Sequence, residues 1–379
     1  MRPYFLEKYG NASSIHHFGQ EARAALDASR DRIAGCIGAR PAELFFVGSG
    51  TEADNAALKG VAQASWERGK RHIVTSAVEH HAVLETCRHL ESMGWFITAV
   101  QPEADGSVSP ADVAAALRPD TALVSVMHAN NEVGALNDLR GIAEMVRPLG
   151  ILVHSDAVQS FGKVPIDVES LGVDLLSLSA HKIYGPKGIG ALYVRKGVTL
   201  GKIMHGGAQE RGRRGGTESV PLAVGFAAAA ALATLGMEAE SARLHDLRTY
   251  LRRSLQERFD GVLLNGPAEA TLPHVVNVSF DARAWVVDGE ALLFGLDLAG
   301  VAVTSGSACT SGSMEPSHVL LAMGREPATA KATIRFSMGR STTRDDLDYA
   351  LDALADVIAR IGRRIDGEAP SSSPAGPLA

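Results

Sequence analysis

Cysteine is scarce in this chain: Cys36, Cys87 and Cys309 are all that 379 residues contain, an odd number set far apart. Such a set excludes a disulfide framework and a paired-cysteine zinc site, so each thiol is expected to be reduced and no metal is expected. Positive charge is also in short supply, with 37 Lys and Arg against 43 Asp and Glu and a net charge of -6. A nucleic-acid-binding surface normally carries clustered basic residues, and only Arg211, Arg213 and Arg214 form a short run. No apolar stretch has the length of a membrane span, residues 223–235 being short and alanine-rich, and the N-terminus has no signal-peptide pattern. Neither a nucleic acid nor a membrane is therefore expected as a direct partner, and the expected location is the cytoplasm.

What is present is an ordinary globular composition, 46% hydrophobic and 21% charged, long enough for a large core and two domains. Apolar residues at helical spacing predict a helix over residues 20–37, after a loop around residues 10–17. Strand-like runs follow at 44–47, 72–76, 96–100, 122–127, 151–153, 175–178 and 191–194, separated by helical segments such as 54–68. Alternation of this kind predicts an α/β sheet. From about Met237 the pattern changes to a long helix over 239–259, short strands at 275–280 and 333–337, and a last helix over 344–361, which predicts a smaller α+β domain. The expected division is a large domain over 10–238, a small domain over 239–365 joined by residues 1–9, and a disordered tail over 366–379, rich in Pro, Ser, Gly and Ala.

The chemistry lies where the strands run out. Ser179-Ala180-His181-Lys182-Ile183-Tyr184-Gly185 places a lysine after an apolar strand. Taken alone it is an ordinary solvated charge. Upstream, another apolar strand ends in Asp156. If residues 162–174 form a right-handed crossover, Asp156 and Lys182 share the carboxyl edge of a parallel sheet, where α/β proteins bind ligands. A lysine and an aspartate facing one ligand suggest pyridoxal phosphate, whose aldehyde takes an amine as a Schiff base and whose ring nitrogen takes a carboxylate. Gly48-Ser49-Gly50-Thr51 opens a helix after the first strand, which makes either an ordinary N-cap or an anion site built from unpaired backbone N–H groups. His80 follows a strand end and is placed to stack on a flat ligand. The competing reading of His80, His81 and Cys87 as metal ligands fails on spacing, because adjacent residues of one helix do not face one site. Asn130 and Asn131 close the next strand, as ligand contacts or as a turn.

In chain order, Tyr9-Gly10-Asn11-Ala12-Ser13-Ser14-Ile15-His16, Thr51-Glu52, Glu79-His80, Asn130-Asn131-Glu132-Val133-Gly134, Asp156 with Gln159, Ser179 to Gly190, Arg214 to Thr217, Ser305 to Ser313 and Arg335-Phe336-Ser337 resemble the cysteine desulfurases of the NifS/IscS type, within the class V aminotransferase family. The likeness runs from Tyr9 to about Ile361. It implies a fold-type I pyridoxal 5'-phosphate enzyme with a mainly parallel seven-stranded sheet. It implies that Lys182 forms the Schiff base, Asp156 pairs with the ring nitrogen, Gln159 bonds the ring hydroxyl oxygen and His80 stacks on the ring. Gly50, Thr51, Ser179 and His181 would hold the phosphate, with Thr217 reaching the site of the other subunit of a homodimer. Asn131 would lie near cofactor and substrate, and Arg335 would grip the carboxylate of L-cysteine, to which a planar guanidinium is suited.

The same resemblance makes Cys309 the nucleophile that takes sulfur as a persulfide; an ordinary thiol must exchange a proton with a neighbour to act, and His80 is the candidate. It sits among small and polar residues that predict an exposed loop, of the longer kind found in group I desulfurases that serve iron-sulfur scaffold proteins or other sulfur acceptors. Cys36 and Cys87, among apolar helical neighbours, read as inert. A selenocysteine lyase or a cysteine sulfinate desulfinase would share every cofactor residue. A plain aminotransferase has no need of Cys309, and a non-catalytic scaffold would have lost Lys182 or Cys309. Two departures stand out. The family's Asn-Ala-Thr-Thr segment before the part matching Tyr9 is not in this sequence, so either the start lies late or a strand and turn packing on the small domain are missing. Ala12 replaces the usual proline of the Gly-Asn-Pro-Ser turn, which is expected to loosen that turn.

Overall fold

A computed structural model describes residues 1–306 and 315–365. Cys309 and the tail expected over 366–379 lie outside the described residues. Two compact units divide the chain, one made of Met1–Asp246 with Gly266–His274, the other of Leu247–Asn265 with the chain from Val275 onward.

The first unit holds a seven-stranded sheet of β1 (Leu44–Val47), β2 (His72–Ser76), β3 (Phe96–Val100), β4 (Thr121–Ser125), β5 (Leu152–Asp156), β6 (Leu175–Ser179) and β7 (Gly190–Val194), in the order β1-β7-β6-β5-β4-β2-β3. β6, β5, β4, β2 and β3 are mutually parallel, whereas β7 runs antiparallel to both neighbours, which restores β1 to the common direction. The ends of β1, β2, β4, β5 and β6 therefore share one edge. Continuous apolar runs such as Leu44-Phe45-Phe46-Val47 and Leu175-Leu176 belong to strands covered on both faces, while edge strand β3 exposes Phe96. Helix α1 spans Arg2–Leu6, α2 His17–Gly35, α3 Gly50–Ser65 and α4 His81–Ser92. Small residues Ala53, Ala57 and Val61 let α3 lie close on the sheet, in a core with Leu58, Ile73, Leu123, Leu175 and Leu192.

Three expectations shift. Residues 1–9, assigned to the smaller domain by the sequence reading, fall in the first unit: α1 packs on the helix Val220–Leu235, and a side chain at Gly225 would collide with the Met1 sulfur at 2.5 Å. The first long helix starts at His17 rather than Gln20, because the His16 ring accepts a hydrogen bond from the Gly19 N–H and caps it. The long helix Met237–Arg258 is shared by both units, so the boundary falls within it rather than at 238/239.

The second unit has an antiparallel sheet in which β9 (Val275–Phe280) lies between β8 (Val262–Asn265) and β11 (Thr333–Ser337), and a short pair of β10 (Trp285–Val286) with β12 (Arg363–Arg364). The helix Arg344–Ile361 starts at a capping box between Thr343 and Asp346 and buries Leu347, Leu351, Leu354 and Ile358. Among the described residues no single helix is long and apolar enough to cross a membrane.

Candidate active site

The carboxyl edge of the large sheet collects most of the residues singled out from the sequence. After β1, Ser49 is the N-cap of α3, its Oγ accepting from the Glu52 N–H at 3.1 Å. Gly50 follows because nothing larger fits: a Cβ there would lie 2.7 Å from Val158 Cγ2 and 3.5 Å from Ser179 Cβ. That crowding brings the start of α3, the segment after β5 and the end of β6 together. Ser179 Oγ and His181 Nδ1 are 2.9 Å apart, and Thr51 is exposed at the same helix end. Burial lowers the His181 pKa first, and the charges of Lys182, Lys187 and Lys163 lower it further. The surroundings of Ser179 and His181 are thus cationic, and the N–H groups and dipole of a 16-residue helix begin beside them.

Asp156 ends β5, buried, with Oδ1 accepting from the Val158 N–H at 2.8 Å. Burial pushes its carboxyl up to about 6, and the nearby Lys182 ammonium pulls the other way. Two more carboxyls lie buried at this edge. Glu79 is pushed up to about 8 by burial, while Asp54 is held well above the usual range by burial and by the charges of Asp156 and Glu79. Three buried carboxylates cannot all ionise, and the one with a cation at hand is Asp156. Under it, His154 bridges Ser125 Oγ at 2.8 Å and Ser177 Oγ at 3.0 Å, its charged form suppressed by burial to about 3.

Lys182 sits in a one-turn 3-10 segment, Ala180–Ile183, that leaves β6 and is closed by Tyr184 in the left-handed region at φ 62°. Strained non-glycine residues of this kind cluster at functional sites. His80 caps α4: its Nδ1 accepts from the Ala82 N–H at 3.1 Å, so the neutral ring carries its proton on Nε2. Thr51 and His80 line one groove of about 470 Å³. Glu79 pins this corner, with Oε1 accepting from the Ser76 hydroxyl at 2.8 Å and the Met127 N–H at 2.7 Å.

The two asparagines divide the work left open by the sequence. Asn130 builds the turn: it is fully buried, accepts from the Glu132 and Val133 N–H groups and donates to Val78 O. Asn131, half-buried beside it, is left as the ligand candidate. Gln159 is half-buried in the turn after Asp156, and Thr217 is exposed on the segment after Gly216. Arg335 lies in the second unit on β11, where its N–H donates to Thr304 O at 2.6 Å and holds the strand against the segment leading to Gly306. Cys87 is buried, and its thiol is pushed up to about 12 by that burial, which suits the inert reading.

Sequence reasoning passed over Asp54 and His154, and it named Glu52, Glu79 and Arg214 only within motifs, without a role or a partner. Asp54 had a signal, since a carboxylate among Ala53, Ala57, Leu58 and Val61 interrupts an apolar helix face.

A lysine and an aspartate at one edge, with a helix start beside them, make a candidate ligand site at the carboxyl edge of an α/β sheet. The model of the family described as aminotransferase class-V matches residues 1–350, and the chain belongs to that family, whose members are pyridoxal phosphate-dependent. Within it the chain is similar to the cysteine desulfurase IscS of Dictyoglomus turgidum, 48% identical over 95% of this chain and 90% of that one. Among solved structures it resembles a NifS-like protein with a TM-score of 0.87 and 36% identity, covering 94% of each chain. It also resembles SspA, solved in complex with cysteine, with a TM-score of 0.77 and 37% identity over 89% of this chain and 93% of that one.

Proposed function

We propose that the chain is a cysteine desulfurase that converts L-cysteine to L-alanine and passes the sulfur to Cys309. The observation that carries this reading is the meeting of Lys182, Asp156 and the 48–51 turn at one sheet edge, in a chain so similar to cysteine desulfurases.

The residues fit the cofactor. The gap that only Gly50 can fill, the cationic surroundings of Ser179 and His181, and a buried carboxylate beside a lysine match its phosphate, ring nitrogen and aldehyde in chemistry. Gly50, Thr51, Ser179 and His181 would hold the phosphate, Asp156 the ring nitrogen, Gln159 the ring hydroxyl oxygen and His80 the ring face, with Asn131 nearby. When bound, pyridoxal phosphate supplies the aldehyde that takes an amine and a ring that accepts electrons from substrate Cα. Lys182 is the covalent anchor and the base at substrate Cα. Arg335 orients the substrate carboxylate. The Cys309 thiolate attacks the substrate sulfur, so that an S–S bond forms as the Cβ–S bond breaks, and Cβ keeps the electron pair and takes a proton. His80, with Nδ1 accepting from Ala82, is the Nε2–H tautomer, which would stabilise a sulfur anion by donating a hydrogen bond from Nε2.

A homodimer in which Thr217 serves the partner's phosphate is supported by large apolar side chains left exposed near the N-terminus, among them Ile15 at 91% and Tyr9 at 77%. The sulfur acceptor would be an iron-sulfur scaffold or another protein, in the cytoplasm. The deciding experiment is anaerobic incubation of the purified protein with L-cysteine. Alanine release with a reducible mass gain of one sulfur is expected; alanine without persulfide, or a keto acid, would sink the reading.

Asp156 adds a pH dependence. The carboxylate that would hold the ring nitrogen protonates as pH falls through about 6, so cofactor affinity is expected to drop there. Asp156→Asn should bind weakly at every pH and lose that step, which titration of the cofactor-free protein by absorbance will reveal. For stability the sign is opposite. The native group keeps until about 6 a proton that an unfolded aspartate releases near 4, so its contribution shrinks as pH rises between those values.

A further inference from the structure

A helix start that is to receive a phosphate dianion here already carries an anion. Glu52 lies in the first turn of α3, and its Oε2 accepts from the Gly48 N–H at 2.7 Å. A bare carboxylate at this place would repel the ligand and compete with it for the positive end of the helix dipole. It is not bare. Arg214 Nε donates to Glu52 Oε1 at 2.9 Å, and its Nη2 lies 3.4 Å from Oε2. A Cβ at Gly48 would lie 2.8 Å from Glu52 Oε2 and 3.9 Å from Arg214 Nη2, so the guanidinium stands beside the turn itself.

The chain holds Arg214 there by an unusual path. Glu210, Arg211 and Gly212 follow one another with φ of 46°, 58° and 76°, a left-handed run that side chains other than glycine rarely adopt. Glu210 fixes it from inside. Only 4% exposed, its carboxylate takes Arg30 Nη1 at 2.7 Å, Arg30 Nη2 at 2.9 Å and the Phe46 N–H at 3.0 Å. Arg30 Nη1 also donates to Leu44 O at 2.9 Å. Leu44 and Phe46 belong to β1, the strand that runs into the 48–51 turn, so the turn and the Arg214 segment are locked to one strand.

We propose that Arg214 is a positioning residue for phosphate recognition, cancelling the Glu52 charge so that the 48–51 turn can take a dianion. This rests on the reading that the turn holds the cofactor phosphate. The test compares pyridoxal phosphate with pyridoxal, which has the same aldehyde and no phosphate, each titrated by absorbance into the cofactor-free full-length protein. Arg214→Gln should weaken pyridoxal phosphate about tenfold, the size of a charge effect at a helix start, and leave pyridoxal affinity unchanged. Glu52→Gln added to it should restore most of the affinity, since a glutamine oxygen still accepts from Gly48 without the charge. Arg214→Lys, which keeps the charge, should fold and bind nearly as the wild type even if Arg214→Gln folds poorly. Equal loss for both ligands, no rescue by Glu52→Gln, or full affinity in Arg214→Gln would each overturn the proposal while leaving the phosphate site in place. A wild-type chain that binds the two ligands equally would remove the phosphate reading and the proposal together.

Discussion

Lys182→Ala is expected to give a folded protein without the absorbance band of covalently held cofactor and with alanine release reduced by at least about a thousandfold, since it removes anchor and base at once. Lys182 is exposed in the one-turn segment after β6, and its charge acts on the buried Asp156 carboxyl. Its loss should leave the protein folded, since Asp156 can take up a proton once the ammonium is gone. The cofactor should still associate through the groups around Gly50 and Asp156, but reversibly, and it should leave on gel filtration. The spectrum and an alanine assay on the same sample check this, and full turnover would remove the mechanism.

Cys309→Ser separates the two halves of the reaction. The cofactor band should remain, because no residue placed around the cofactor is touched, while the persulfide mass gain disappears and alanine release falls at least about a hundredfold. An alcohol near neutral pH is almost wholly protonated, whereas an ordinary thiol near pKa 8.5 is a few per cent thiolate and intrinsically more nucleophilic. Of the other cysteines, Cys87 makes the clearest control. With its thiol near 12 it carries almost no thiolate, and Cys87→Ala should leave persulfide formation unchanged. An undiminished rate in Cys309→Ser would transfer the nucleophile's role elsewhere.

The legible part of this protein is what the chain writes locally. Apolar runs ending in Asp156, Ser179 and Ser76 mark strand ends, and in a parallel sheet strand ends share an edge, so the site could be assembled on paper. The reversal of β7 carries no local mark, because its apolar run reads the same in either direction. Pairs distant in sequence are equally silent: nothing local in the chain says that Glu52 meets Arg214, or Arg30 meets Glu210, until the fold brings them together. Short elements of the second unit such as β8 and β10 escaped because they are brief and partly exposed, without a periodic run long enough to register. Asn130 and Asn131 were indistinguishable by type, and only burial tells the turn-builder from its neighbour.

The reversed strand has a kinetic meaning. Because β7 returns alongside β6, with Ser179 facing Gly190 across the ladder, the segment that bears Lys182 is stapled at both ends to the sheet that also carries Asp156. An amine tethered in this way would stay at hand if it anchors the cofactor as proposed. Its local concentration would then stay far above that of any free amine in solution, and its return to the site would be effectively unimolecular.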